Sequence, residues 1–386
     1  MGASRVPVRV CVVTTTPYVI NVFLKRHLAA LADCYDVTLA VNAQDAYRLE
    51  AGLDPRVQVV HIGLERKISP LRDFAALLAL VRLLRKGDFG AVHTIAPKAG
   101  LLGIVAGYLA RVPARIHTFQ GEVWASRRGL ARAVLMRADR LMGRLLTHAL
   151  VVGRGEQAFL EQHGVLRAGQ STVLRQGSIG GVDTGRFHPD PDVRSRVRAD
   201  LGVGPDDFAV MYLGRIARDK GVLDLARAFG ELEGASHLVL VGADEEGLRR
   251  AIEEACGKRV ERLRFVPFNS SPERYMVAAD VVCLPSHREG FGMTLIEAGA
   301  CGVPVVAARL YGTQDAVVDG VTGLFHVPGD AAELAQRLRT LAHDPVLRER
   351  LGTAGRERVQ RDFRSEDLIR AFRDYYAAVL GPGRCA

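Results

Sequence analysis

The chain has 386 residues, of which 48% are hydrophobic and 25% are charged, and this composition excludes disordered and fibrous proteins. The net charge of +9 is concentrated in residues 1–185, which carry 24 lysines and arginines against 13 acidic residues. Such an excess indicates an anionic partner, whether a phosphorylated substrate, an anionic membrane surface or a nucleic acid, with a solvated arginine-rich surface as the alternative.

The longest apolar runs, such as "LLGIVAGYLA" (101–110), are shorter than the roughly 20 residues that cross a bilayer. The N-terminus passes almost directly into a strand-like run, without the apolar region and cleavage site of a signal peptide. We therefore expect no transmembrane helix and a cytoplasmic site of action.

The six cysteines show neither CxxC nor Cys/His ligand spacing. Several of them lie inside apolar, strand-like runs, where a buried free thiol is the usual state. We therefore predict neither a zinc site nor a disulfide.

Strand-like and helix-like segments alternate through the first half of the chain. Apolar β-branched runs predict strands at "VRVCVVTTT", "YDVTLAVN", "RVQVVHIG", "AVHTIA", "RIHTFQ" and "HALVVG". Apolar residues at helical spacing predict helices at about 19–33, 71–86, 99–110 and 129–146. Alternation of this kind indicates βαβ units around a parallel sheet.

A second series follows "QGSIGGVDTGRFHPDPD" (176–192), a segment rich in glycine, proline and aspartate that we take as the domain junction. Its strands are predicted at "FAVMYLG", "HLVLVG", "LRFVPF", "DVVCLPS" and "PVVAA", and its helices at about 222–232, 245–256, 272–279, 294–300, 331–341, 345–360 and 366–380. We predict two doubly wound, Rossmann-like α/β domains, 1–185 and 186–365, with a C-terminal segment, 366–386, that crosses back to the first domain.

Two cations follow a strand-like run within "VMYLGRIARDKG" (210–221). Arg215 and Lys220 are thus expected at the carboxyl end of a parallel strand, where open α/β sheets bind their ligands. Two cations at that position suit a diphosphate, and a loop held by salt bridges is the alternative.

The stretch "SHREGFGMTLIEAGACGVPVVA" (286–307) places Glu289 and Glu297 on either side of a glycine-bracketed turn. A helix that begins near Thr294 offers unpaired N–H groups and the positive end of its dipole to phosphate. Carboxylates accept hydrogen bonds from vicinal hydroxyls, so we predict that Glu297 binds the ribose of a nucleotide and Glu289 a transferable hexose. The alternative is that Glu297 is an ordinary residue on a helix surface and Glu289 an ordinary charged residue of a loop.

These motifs resemble the retaining glycosyltransferases of family 4, which have the GT-B fold of two Rossmann-like domains facing across a cleft. The resemblance is carried by the E-x7-E pair of Glu289 and Glu297, by the GR-x4-KG motif at 214–221 and by "GGVDTGRFHP" (180–189). It implies that the C-terminal domain binds a nucleotide-diphosphate sugar, that neither a metal ion nor another cofactor is required, and that front-face attack retains the anomeric configuration.

The resemblance also implies roles for single residues. Arg215 and Lys220 hold the diphosphate, Glu289 contacts the donor sugar and Glu297 contacts the ribose. His117, in "RIHTFQ", matches a family histidine that faces the cleft, and we assign it to transition-state or acceptor hydrogen bonding; a structural histidine is the alternative. The backbone assigned to the diphosphate lies in the turn that opens the helix: Gly292, Met293, Thr294 and Leu295.

In the first domain, "RVPARIHTFQGEVWASRRGL" (111–130) resembles a segment of bacterial enzymes that extend lipid-linked glycans for capsule, O-antigen or protein glycosylation. The chain departs from that pattern at Gln120 and Glu122, so we expect a different acceptor or donor-sugar preference.

The first strand ends in "TTTPY" rather than G-x-G-x-x-G, which argues against a dinucleotide dehydrogenase. We instead assign this end of the strand and the segment after His117 to the acceptor. The acceptor-binding residues are Thr16, Pro17, Gln120, Gly121, Glu122 and Trp124. Core packing is the alternative for Trp124, which could otherwise stack on a sugar or lie at a membrane interface.

The predicted helix in "RGLARAVLMRADRLMGRLLTH" (128–148) is basic on one face and apolar on the other. The basic face carries Arg128, Arg132, Arg137, Arg140 and Arg144, and the apolar face carries Leu130, Val134, Leu135, Leu141 and Leu145. Such a helix suits an anionic lipid surface or a polyprenyl diphosphate, so we expect peripheral attachment at the inner face of the cytoplasmic membrane. The alternative is a helix whose leucines pack on the domain's own sheet.

We therefore expect transfer of a hexose or N-acetylhexosamine, from a nucleotide sugar that the resemblance suggests is UDP-linked, to a lipid-linked saccharide of surface polysaccharide or glycan biosynthesis. Two alternatives remain: a nucleotide-sugar 2-epimerase of the same fold, which needs no acceptor, and a non-catalytic nucleotide-sugar-binding protein. A nucleic-acid partner is not expected, because the chain lacks a recognisable nucleic-acid-binding module.

Overall fold

The computed structural model describes residues 8–44 and 48–385, and the chain divides into two compact units. The first unit runs to Gly181 and resumes at Glu366, and the second runs from Val182 to Ser365. The division lies inside the segment 176–192, where the junction is expected.

The first unit is built on a parallel sheet. Its strands are β1 (Arg9–Thr14), β2 (Asp36–Val41), β3 (Gln58–His61), β4 (Ala91–Ile95), β5 (Ala114–Phe119), β6 (His148–Val151) and β7 (Ser171–Val173). They lie in the order β3-β2-β1-β4-β5-β6-β7, and every neighbouring pair is parallel. The order reverses between β1 and β4, which opens a crevice at their carboxyl ends.

Helices connect these strands. The first, α1 (Pro17–Val19), continues through a π-helical turn (Ile20–Leu24) into α2 (Lys25–Cys34). The others are α3 (Pro70–Gly87), α4 (Pro97–Leu109), α5 (Gly129–Leu145) and α6 (Arg154–Gln162), with a 3-10 turn at Val123–Ser126. Helices α1, α3 and α4 each begin at a proline, whose fixed φ suits the first helical position and whose missing N–H would have no partner there.

The second unit repeats the plan with six strands. They are β8 (Phe208–Leu213), β9 (Ser236–Val241), β10 (Leu263–Val266), β11 (Val281–Leu284), β12 (Val305–Ala308) and β13 (Gly323–His326). Their order is β10-β9-β8-β11-β12-β13, again all parallel, with the reversal between β8 and β11. Strand β8 is buried along its whole length, which explains the unbroken apolar run "FAVMYL".

The helices of the second unit are α7 (Pro191–Leu201), α8 (Val222–Gly230), α9 (Arg249–Cys256), α10 (Pro272–Ala278), α11 (Met293–Ala300), α12 (Ala331–His343) and α13 (Pro345–Asp362), with 3-10 turns at Arg218–Lys220 and Gly257–Arg262. Three of them are preceded by an aspartate whose carboxylate accepts a backbone N–H of the first turn: Asp190, Asp330 and Asp344.

The last helix, α14 (Ser365–Leu380), packs into the core of the first unit through Phe372 and Tyr376. The Tyr376 hydroxyl lies 2.7 Å from Nδ1 of His93 on β4. After α14, a 3-10 turn at Gly383–Cys385 reaches the end of α2, where Cys34 and Cys385 form a disulfide.

The prediction of no disulfide is therefore wrong. Cys34 and Cys385 are 351 residues apart in sequence, and only the return of α14 to the first unit brings their Cα atoms within 5.1 Å. The spacing of the cysteines along the sequence does not indicate this approach. The other four cysteines, Cys11, Cys256, Cys283 and Cys301, are free and buried, as their apolar surroundings in the sequence predict.

The predicted fold class, two doubly wound α/β domains, is confirmed. Strands β7 and β13 and helices α6 and α7 were not among the predicted elements. None of the helices among the described residues is both long and apolar enough to cross a membrane.

Candidate active site

The loops that leave β8 and β11 approach each other where the strand order of the second sheet reverses. Gly221 has φ +67°, and a Cβ atom at this position would lie 2.0 Å from the Pro285 carbonyl oxygen. Only glycine permits that contact, because any side chain would push the two loops apart. Lys220 precedes this glycine and Glu289 follows the proline, so the close approach brings these two side chains together.

Lys220 and Glu289 form an ion pair at the crevice. Nζ of Lys220 lies 2.6 Å from Oε1 of Glu289, and 20% and 13% of these side chains remain exposed. The Ser286 hydroxyl donates a second hydrogen bond, of 2.8 Å, to the same Oε1. The position of the Glu289 carboxylate is thus fixed from two sides.

Arg215 lies on the same loop after β8 as Lys220 but pairs with other carboxylates. Its Nη1 donates to Oε2 of Glu245 at 2.7 Å, and its Nη2 lies 3.4 Å from Oδ2 of Asp219. One third of the Arg215 side chain is exposed. Both predicted phosphate-binding cations therefore have carboxylate partners within the unit, and both remain partly open to solvent.

The glycine-rich turn after Glu289 leads directly into α11. Gly292 is the residue before the helix and has φ +82°, a conformation that favours glycine. Met293 and Thr294, both half-buried, form the first turn. The Leu295 amide instead donates to the Gly292 carbonyl at 2.9 Å. The assignment of the Leu295 N–H to a diphosphate stays a prediction, and in this structure the turn itself uses that donor.

Glu297 lies in the second turn of α11. Burial raises the pKa of its carboxyl to about 7, an increase that the Arg186 charge opposes and the Glu273 charge reinforces. Arg186 and Glu273 are themselves an ion pair, at 2.7 Å. Glu297 is consequently a carboxyl that changes charge near neutral pH.

The second unit thus places two cations, a helix N-terminus and two carboxyl groups around the carboxyl ends of β8 and β11. Cations and backbone N–H groups neutralise phosphate, and carboxylates accept hydrogen bonds from sugar hydroxyls. The described residues include no group of three His, Cys, Asp or Glu side chains that could hold a metal ion.

In the first unit, His117 lies near the carboxyl end of β5 and is 2% exposed. Its Nδ1 lies 2.8 Å from the hydroxyl of Thr94 on β4, and its ring packs edge-on against Phe119. Burial lowers the pKa of His117 to about 3, so the imidazole is neutral at pH 7. A Cβ atom on Gly100 would lie 2.4 Å from the ring, so the glycine provides the space for it.

The remaining predicted acceptor residues lie at the carboxyl edge of the same sheet. Thr16 and Pro17 follow β1 and are buried at the start of α1. Gln120 and Gly121 follow β5, and Gly121 has φ +92°. The side-chain nitrogen of Gln120 is buried and lacks a hydrogen-bond partner among residues 8–44 and 48–385.

Glu122 and Trp124 do not have the predicted acceptor role. Glu122 is 3% exposed, and its side chain hydrogen-bonds to the buried Glu156 on α6. Trp124 is fully buried, stacks on Phe159 and donates its Nε1–H to Asp139 at 2.7 Å. Both expectations are wrong because α5 and α6, which follow in the chain, supply partners that enclose these side chains.

Several residues of the site were missed in the sequence. Ser286 lies one position after "DVVCLP", and Glu245 follows β9, so both stand at strand ends where polar residues signal a site. Thr94, inside β4, and Glu156, inside α6, offer no such signal. Their contacts arise only from the pairing of β4 with β5 and the placement of α6.

Two family descriptions match the chain. Residues 20–177 match "Glycosyl transferase 4-like domain", and residues 193–358 match "Glycosyl transferases group 1". The first match lies within the first unit and the second lies within the second unit.

Individual proteins agree with these matches. The capsular polysaccharide biosynthesis glycosyltransferase CapM of Staphylococcus aureus is 28% identical over 334 residues, which cover 84% of this chain and 86% of that protein. A D-inositol 3-phosphate glycosyltransferase of Actinosynnema mirum is 30% identical over 331 residues, covering 78% of each chain. Anabaena HepE, solved in complex with UDP, shares the fold, with a TM-score of 0.76 and 21% identity over 96% of this chain and 100% of its own. The chain belongs to the family 4 glycosyltransferases, which have the GT-B fold.

Proposed function

We propose that the protein transfers a hexose or N-acetylhexosamine from a UDP-sugar to a lipid-linked saccharide, with retention of configuration, in the biosynthesis of a bacterial surface polysaccharide or glycan. The observation that carries the proposal is the Lys220–Glu289 pair at the strand reversal, beside the N-terminus of α11. Similarity to a capsular polysaccharide glycosyltransferase supports the product class, and the UDP complex of a fold neighbour supports the nucleotide.

The proposed chemistry is a substitution at the anomeric carbon. The bond from that carbon to a diphosphate oxygen breaks, and the oxygen keeps the electron pair. A bond forms to the acceptor oxygen on the same face, and the acceptor's proton passes to the leaving diphosphate. Arg215 and Lys220 stabilise the negative charge that develops on the diphosphate, so the proposed reaction needs neither a metal ion nor another cofactor.

The two carboxyl groups serve different parts of the donor in this proposal. Glu289 accepts hydrogen bonds from hydroxyls of the transferred sugar, and its contact with Lys220 places that sugar next to the diphosphate. Glu297 accepts hydrogen bonds from the ribose. His117, neutral and held by Thr94, offers a ring nitrogen to a substrate hydroxyl.

We further propose that the protein attaches to the inner face of the cytoplasmic membrane through α5. Leu135 and Leu145 pack against the core of the unit, whereas Leu130, Val134 and Leu141 on the same helix are exposed. Exposed leucines on a basic helix suit an anionic lipid surface. Leu71 and Phe74, at the start of α3, add exposed apolar area to this unit.

The experiment is transfer by the purified protein from a panel of UDP-, GDP- and ADP-sugars, in EDTA, to an extract of polyprenyl-diphosphate saccharides. We expect one UDP-sugar to give a radiolabelled lipid product. Conversion of a UDP-sugar to its 2-epimer without an acceptor would contradict the proposal, and so would tight UDP binding without turnover on any acceptor in the extract.

A further inference from the structure

Two carboxyl groups are buried together where the loop after β5 meets α6. Glu156 is fully buried, and 3% of Glu122 is exposed. One Glu156 oxygen accepts the N–H of Gly121, and the other accepts the N–H of Val152 at 3.0 Å. The Glu122 side chain also hydrogen-bonds to Glu156. The proposed transfer reaction uses neither carboxyl, so their burial has another cause.

This arrangement requires a proton. Ionised carboxylates only accept hydrogen bonds, so one carboxyl bonds to another only when one of them carries a hydrogen. Two ionised groups at this contact would also repel each other in surroundings that water does not screen. Burial and the Glu122 charge accordingly raise the pKa of Glu156 well above its usual value. The backbone N–H groups of Val152 and Gly121, which are its other partners, oppose that increase.

The pair is joined to the loop that carries the acceptor residues. Glu156 holds this loop through the Gly121 N–H, and Gly121 has φ +92°. The neighbouring Gln120 has a buried side-chain nitrogen that lacks a partner among the described residues. An unpaired buried donor is costly, and an oxygen of a bound acceptor would satisfy it. Movement of Gly121 would displace this donor.

We propose that Glu122 and Glu156 share one proton, and that this pair positions the Gln120–Glu122 loop for the acceptor. Both are positioning residues, because they act through Gly121 and Gln120. The role in acceptor binding rests on the proposed function, whereas the shared proton does not. Loss of the proton leaves two facing anions, and their repulsion moves Glu122 and the loop that contains it.

The first test compares the pH dependence of the KM for the acceptor. In the wild-type protein we expect this KM to rise as pH passes the pKa of the pair. If the deprotonated pair does not bind the acceptor, the rise approaches about tenfold for each pH unit above that pKa. Glu122→Gln supplies an amide N–H in place of the shared proton, so its acceptor KM should stay flat over the same range. The KM for the donor should not follow this change, because the predicted donor residues lie in the second unit.

Two further variants complete the comparison. Glu161→Gln removes another carboxyl of α6, one outside this pair, and should follow the wild-type profile. Glu156→Gln turns one acceptor oxygen into a donor that faces a backbone N–H, so it should raise the acceptor KM at every pH.

A second readout needs no enzymatic activity. Trp124 is the only tryptophan and lies two residues from Glu122, so its fluorescence reports unfolding of the first unit. Above the ordinary pKa of glutamate, the unfolded chain releases the proton that the folded pair still binds. The unfolding temperature should therefore fall as pH rises from 6 toward the pKa of the pair. Glu122→Gln should reduce this fall, and Glu161→Gln should not.

The two readouts separate the two proposals. If no sugar is transferred but the unfolding temperature differs as expected, the proposed function fails and the shared proton stands. If wild type and Glu122→Gln unfold with the same pH dependence, the shared proton is refuted. If the unfolding data agree but the acceptor KM of the wild type is flat with pH, the positioning role is refuted.

Discussion

In the proposed donor site, Glu297 is the residue whose charge state most directly links pH to donor binding. Burial raises its pKa to about 7. The ionised carboxylate offers both oxygens as acceptors to the two ribose hydroxyls, whereas protonation turns one of these oxygens into a donor. The donor should therefore bind more tightly as pH rises through 7, and binding below that pH should require release of a proton. If the protonated form does not bind, affinity falls about tenfold from pH 8 to pH 6.

Calorimetry with a UDP-sugar measures this effect cleanly, because a sugar-substituted diphosphate has no proton to titrate between these pH values. Glu297→Gln should bind more weakly at pH 8 and show no pH dependence over the same range. Glu253→Gln, on the exposed side of α9, serves as the control. Equal affinities of the wild type at pH 6 and pH 8 would refute the assignment of Glu297 to the ribose.

At the scale of single elements, the proposed membrane attachment depends on α5. Leu130 is 77% exposed and Val134 is 54% exposed, so changing both to serine should leave the fold intact. Loss of one leucine and one valine contact with lipid costs about 3 kcal/mol, which predicts at least a tenfold weaker association with anionic vesicles. Co-sedimentation with phosphatidylglycerol vesicles at low salt provides the measurement.

The matched control for that variant is Val346→Ser on α13, a residue 74% exposed in the second unit. It should sediment with vesicles as the wild type does. Salt should weaken the wild-type association, because the arginines of α5 contribute a screened electrostatic attraction. Unchanged sedimentation of the Leu130→Ser, Val134→Ser double variant would exclude α5 as the lipid-binding element.

Helix α5 also shows what a sequence pattern can and cannot predict about an element. Its amphipathic period predicted a helix at about 129–146, close to the observed Gly129–Leu145. The same period could not tell which apolar residues lie against the core, because that depends on the tilt of the helix over the sheet. Leu135 and Leu145 pack inward whereas Leu130 is exposed, although all three belong to one predicted apolar face.

At the scale of the whole molecule, the Cys34–Cys385 disulfide joins the end of α2 to the end of the chain. The Tyr35 hydroxyl donates to the Gly381 carbonyl at 2.6 Å, and Arg384 pairs with Asp36, so noncovalent contacts hold the same two segments. A disulfide that closes a long loop stabilises a protein by about 2–5 kcal/mol, chiefly by restricting the unfolded chain.

Reduction should therefore lower the unfolding temperature of the first unit, as reported by Trp124 fluorescence, without unfolding it at 25 °C. Cys34→Ser should unfold at that lower temperature with or without dithiothreitol. At the proposed location, the inner face of the cytoplasmic membrane, the reduced form is the expected one, because a cytoplasm keeps such cysteines reduced. Identical unfolding of the wild type with and without reductant would exclude a stabilising disulfide.

The two sheets and the donor motif were predictable because they depend on local signals. Strand periodicity, glycine-rich turns and charges at strand ends placed Arg215, Lys220, Glu289 and Glu297 around the carboxyl ends of β8 and β11. The acceptor side was less predictable, since Trp124 and Glu122 face partners from α5 and α6 that are distant in sequence. The prediction of no disulfide was wrong for the same reason, because formation of this disulfide depends on where α14 returns to the first unit.

The central claim is that Glu289 serves transfer rather than nucleotide binding, and Glu289→Gln tests it most directly. Transfer to the lipid acceptor and UDP affinity would be measured on the same preparations of wild type, Glu289→Gln and the control Glu253→Gln. We predict that Glu289→Gln loses transfer by about a hundredfold or more, while its UDP affinity stays within about threefold of the wild type. Near wild-type transfer by Glu289→Gln would contradict the account, and so would a loss of transfer matched by an equal loss of UDP affinity.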